Sequence, residues 1–118
     1  MMRKSLFVLF THDTCRRNHA FMYAIDLARR GHQVRLILEG ESVQCLRERE
    51  GRFAQLFEQA MSLGLLAGAC KTACAGCSTP SRDVTSLVRE TGLSLIDNLD
   101  GHAGIEAFVT DGYDIVTF

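Results

Sequence analysis

The chain has 118 residues, of which 47% are hydrophobic and 23% charged, with a single proline; this is ordinary globular usage and predicts one domain, residues 1–118, around one core. A net charge of −1, with no basic run longer than a pair, gives no electrostatic footprint for nucleic acid. The opening apolar run, residues 6–10, is too short for a membrane span or a signal-peptide core, so the expectation is a cytoplasmic protein with neither nucleic acid nor membrane as a partner.

In chain order, residues 5–11 ("SLFVLFT") form an apolar run suited to a strand buried on both faces of a parallel sheet. A polar loop follows. Asn18 is a candidate helix cap, and Phe21, Ala24, Ile25 and Ala28 recur on one face before Gly31 stops the helix. A second strand is expected at residues 33–38, closed by Gly40. The stretch 41–63 reads as helix interrupted at Gly51, with Phe53, Leu56, Phe57 and Ala60 sharing a face.

"LLAGAC" predicts a third strand ending at Cys70, and Thr79 with Pro80 supplies a start for a helix running to Glu90. "LSLID" is a fourth strand, residues 104–110 a short helix, and "YDIVTF" a fifth strand. Strands alternating with helices in this way predict an α/β fold: three layers, α/β/α, around a mostly parallel five-stranded sheet.

Sites in such sheets lie at the carboxyl ends of the strands. That edge would carry His12 and Cys15 after the first strand, Glu39 after the second, Cys70, Cys74 and Cys77 after the third, and Asp97, Asp100 and His102 after the fourth. Cys45, inside a helical stretch, is expected to be a buried structural thiol, and Asp97 and Asp100 turn or cap residues. The cluster in "GACKTACAGCSTP" is the main signal. Thiols stay reduced in the cytoplasm, and an odd count of five cysteines points to metal or thiol chemistry before structural disulfides.

Three chemistries compete for it. Zinc held by Cys70, Cys74, Cys77 and His102 is one, although tetrahedral sites usually show two close ligand pairs. A Cys74–Cys77 dithiol couple is another. The third is a nucleophilic Cys70 at a strand tip, with a depressed pKa, polar neighbours in His12 or His102, Cys74 or Cys77 as resolving thiol and no cofactor. The segment 71–79, rich in Ala, Gly, Ser and Thr, is expected to be a mobile loop.

The order of features resembles the DsrE/DsrF-like family of small sulfur-relay proteins: the apolar first strand, the helix closing in "ARRGHQVRLILEG", the cysteine ending "LLAGAC" and the terminal "GHAGIEAFVTDGYDIVTF". This resemblance spans nearly the whole chain. It implies a three-layer α/β/α domain, assembly into homo-trimers or hexamers, and a persulfide-forming cysteine whose position matches Cys70. Cys74 and Cys77 are additions to that pattern.

Overall fold

A computed structural model describes all of residues 1–118. Its sheet has five strands, β1 (Lys4–Leu9), β2 (Gln33–Leu38), β3 (Leu66–Cys70), β4 (Leu95–Ile96) and β5 (Asp114–Thr117), in the order β4-β3-β2-β1-β5. Every pairing is parallel. Helices α1 (Thr14–Arg29), α2 (Gly51–Ser62), α3 (Lys71–Cys74), α4 (Thr85–Thr91) and α5 (Glu106–Thr110) flank it in the expected three-layer arrangement. The core is continuous, with Leu6, Leu9, Phe21, Leu36, Ile37, Leu38, Phe53 and Leu56 fully buried. No helix is long and apolar enough to cross a membrane.

Several element boundaries differ from expectation. β1 stops at Leu9 because Phe10 and Thr11 instead donate their N–H groups to the Phe118 carbonyl. The first helix starts at Thr14, capped by Asp13, whose carboxylate accepts the Arg16 N–H at 2.9 Å; Asn18 is interior. Residues 40–47 form a 3₁₀ helix capped by Glu39, and α2 begins at Gly51 as the break there predicted. Pro80 starts only a 3₁₀ turn, Pro80–Arg82, and α4 begins after Asp83, whose carboxylate accepts the Thr85 N–H. β4 shrinks to two residues, and α5 starts two residues late.

One irregularity positions the site. The β2–β3 ladder pairs Leu36 with Leu66 but Ile37 with Gly68, so Ala67 is an extra residue on β3. A bulge of this kind offsets the register by one and turns the following side chains to the other face. Beyond it Leu38 pairs with Ala69, so the next residues on each strand, Glu39 and Cys70, come level. Were Ala67 paired in regular register with Ile37, Glu39 would stand beside Ala69. Gly68 adopts φ +152, and a Cβ there would sit 2.5 Å from the Ser94 carbonyl oxygen and 2.9 Å from Ile96, which is how β4 comes so close.

Candidate thiol site at the carboxyl edge of the sheet

The carboxyl ends of three neighbouring strands each supply one group. Glu39 follows β2, Cys70 ends β3, and His102 comes from the connection after β4; their ligating atoms all lie within 4.8 Å of one another. Glu39 is half-buried, Cys70 has no exposed surface, and His102 is exposed. Cys70 Sγ and His102 Nδ1 are 3.4 Å apart.

The local chain folds to produce this. Leu99 and His102 exchange both backbone hydrogen bonds around Asp100 and Gly101, which have φ +48 and +85. Two positive φ values make a type I′ turn, the geometry that Asp-Gly favours. The Gly101 carbonyl accepts from the Thr72 hydroxyl at 2.7 Å and from its N–H at 3.1 Å, which ties the turn to α3. Gly104 N–H donates to the Asn98 side chain at 2.7 Å. The imidazole is thereby held over the sulfur.

Cys70 also caps α3. Its φ and ψ, −60 and 124, are extended, and its sulfur accepts the Ala73 N–H at 3.4 Å. The expected depressed pKa does not hold. Burial pushes the Cys70 thiol up, the Ala73 N–H opposes this, and the nearby Glu39 carboxylate adds to the rise. The neutral thiol is the resting form. Glu39 is itself fixed, because its Oε1 accepts the Gly40 N–H at 2.8 Å and its side chain closes the capping box of the 3₁₀ helix with Ser42.

The remaining candidates divide. Residues 71–74 are helix, not open loop, and Cys74 is fully buried with its thiol pushed up to about 12, chiefly by burial. Neither Cys74 nor Cys77 joins the Glu39–Cys70–His102 group, so the structure does not bring the expected set of Cys70, Cys74, Cys77 and His102 together in one cluster. Cys77 is exposed, at φ +47, and its thiol donates to the Thr72 carbonyl at 3.7 Å. It lines an open cavity of about 220 Å³ with Glu41, Gln44 and Arg82.

Cys15 and His12 share the edge but not the group. Cys15, in the first turn of α1, lies 3.6 Å from His19 Nδ1. His12 Nε2 is 3.5 Å from Glu48, which also meets Arg17 at 3.4 Å. Arg17 is buried, with its guanidinium 3.9 Å from the Phe53 ring centroid, so His12 stands in a charged cluster with Glu48 and Arg17, apart from Cys70. Cys45 is fully buried, as expected of a structural thiol, and its pKa is raised to about 12 by burial.

The arrangement defines the class of site: a buried thiol flanked by an imidazole and a carboxylate at the open edge of a parallel α/β sheet. No protein-family model and no curated protein matches the chain. A solved structure of a conserved protein of unknown function from Bacteroides thetaiotaomicron is similar over 98% of this chain and 95% of that one, with 19% identity and a TM-score of 0.69. At that identity the likeness shows the fold.

Proposed function

We propose that the protein carries sulfur as a persulfide on Cys70. The observation that supports this reading is the 3.4 Å approach of His102 Nδ1 to a sulfur at the tip of a central strand. A thiol held neutral by burial and by Glu39 needs a base, and His102 is placed to take its proton. The Cys70 thiolate attacks the outer sulfur of a donor persulfide. A new S–S bond forms at Cys70, the donor S–S bond breaks, and the donor leaves as a thiolate that collects the proton from His102. No external oxidant is consumed.

Cys70 has no exposed surface, so a donor reaches the sulfur only when the groups packed over it move apart. Cys77, exposed on the segment after α3, then serves as the second thiol. Its thiolate attacks the outer sulfur and takes the persulfide, and Cys70 departs as thiolate. Cys74, whose thiol burial pushes up to about 12, is the poorer nucleophile for this step. Five free thiols suit a reducing compartment such as the cytoplasm. Self-association belongs to the same proposal: Met22, Tyr23, Val109 and Val116 are exposed apolar side chains that a homo-oligomer would cover, and light scattering above the monomer mass of 13.1 kDa tests it.

The chemical test is loading with a small persulfide donor followed by intact mass measurement. Wild type gains one sulfur, about 32 Da, and Cys70→Ser gains none. His102→Gln loads more slowly by roughly 10²-fold. Equal loading of wild type and Cys70→Ser refutes the assignment.

A further inference from the structure

The geometry points to a second occupant of the same three side chains: Glu39, Cys70 and His102 form a three-ligand site for a divalent zinc ion. The donor set is one thiolate sulfur, one imidazole nitrogen and one carboxylate oxygen, the three ligand types that zinc takes. Their mutual approach within 4.8 Å is close to what a single ion requires. In tetrahedral coordination, bond lengths of about 2.3 Å to sulfur and 2.0–2.1 Å to nitrogen place those two atoms roughly 3.5 Å apart. The observed separation of Cys70 Sγ from His102 Nδ1 is 3.4 Å.

The outer contacts are those of a metal site. The Gly40 N–H donates to Glu39 Oε1, and the capping box with Ser42 orients the carboxylate further. The Ala73 N–H donates to the Cys70 sulfur, as hydrogen bonds to metal thiolates commonly do. Cys70 ends β3, Glu39 caps the 3₁₀ helix after β2, and His102 is held by the Asp100–Gly101 turn, so the donors already stand together before binding. Zinc displaces the thiol proton, which goes to solvent, and three protein ligands leave one coordination position open.

Cys74 and Cys77 have no part in this set. The sequence alone favours them, because they are close in the chain, but Glu39 is the residue that the β3 bulge brings level with Cys70. Zinc binding does not depend on the persulfide reading. Its consequence does: an ion on the Cys70 sulfur occupies the lone pair that would attack a donor, so metal and persulfide exclude one another.

The test uses the purified chain, zinc and a chromogenic zinc chelator as competitor, with cobalt substitution as the spectroscopic check. Wild type should take up one zinc per chain, and cobalt should produce the near-ultraviolet absorption of a thiolate-to-cobalt bond. Cys70→Ser should lose affinity by roughly 10²-fold and abolish that band, and Glu39→Gln and His102→Gln should each lose roughly tenfold or more. His102 is exposed, so its variant keeps the test valid if Cys70→Ser folds poorly. Cys15→Ser and Cys77→Ser should bind as wild type does.

No zinc uptake by wild type, retention of the cobalt band in Cys70→Ser, or loss of binding in Cys77→Ser equal to that in Glu39→Gln each overturns the assignment. A protein that binds zinc through these residues but never loads sulfur when metal-free disposes of the relay and leaves the metal site standing. Sulfur loading without zinc uptake does the reverse.

Discussion

Replacing Gly68 with Ala tests how the bulge shapes the site. The added Cβ would meet the Ser94 carbonyl oxygen at 2.5 Å, where ordinary contact begins at 3.4 Å, so that oxygen must retreat by about 0.9 Å. The atom in the way is backbone, and a rotamer change cannot relieve it. Ile96 Cγ1 and Cδ1, at 2.9 Å, add to the crowding. Overpacking costs about 1–3 kcal/mol and a residue held at positive φ a further 1–3 kcal/mol, so the variant should lose roughly 2–6 kcal/mol. Urea unfolding followed by circular dichroism measures it. A retreat of β4 also carries off the Asp100–Gly101 turn and draws His102 from Cys70, so sulfur loading and zinc affinity should fall to the levels of His102→Gln. A Gly68→Ala protein within about 0.5 kcal/mol of wild type, loading normally, would refute this account of the bulge.

Three further outcomes are expected. Cys45 is neutral in the fold, with its pKa raised from 9.0 to about 12; its contribution is therefore complete below pH 9 and declines as pH rises towards 12. The stability advantage of wild type over Cys45→Ala should shrink by about 1.4 kcal/mol between about pH 8 and about pH 10, and a constant advantage in urea melts contradicts it. Glu39→Gln keeps the acceptor for the Gly40 N–H but removes a charge that raises the Cys70 pKa, so the pH profile of sulfur loading by metal-free protein should move to lower pH; an unmoved or raised midpoint shows that Glu39 does not act on the thiol. Asp13→Ala should cost about 1 kcal/mol by uncapping α1 and leave zinc affinity unchanged, which calorimetric melting and the chelator titration report.

The strand–helix alternation was legible because apolar runs and terminal glycines mark it: β2 falls where "HQVRLILEG" puts it, and Gly92, at φ +77, ends α4. The start of α1 was harder, because Asp13 and Asn18 are both good caps and the buried Arg17 reads as a polar loop residue until Phe53 is seen beneath it. Residues 71–74 were hidden by composition. Small polar residues suggest a loop, and a cysteine is an unusual cap. The edge of the sheet was readable, and so was His102 as a candidate upon it. Glu39 as the partner of Cys70 was not, since that pairing depends on the one-residue offset at Ala67, whose only trace is a glycine inside an apolar run. The direction of the Cys70 pKa was missed for a related reason: proximity to N–H groups can be inferred from a strand tip, but the depth of burial that outweighs it cannot.

The sulfur of Cys70 is also the atom that closes the first turn of α3, since it accepts the Ala73 N–H. Chemistry at this atom is therefore felt by the main chain. A metal ion or an added sulfur draws electron density from the acceptor and changes its hold on Ala73, one of the residues that line the Cys77 cavity. The Val84 N–H bonds to the Cys74 carbonyl at 2.7 Å, so the same turn is anchored to the residue immediately before α4. On the proposed reading, a change at this sulfur would act on the four-residue helix and, through the Cys74 carbonyl, on the junction that starts α4.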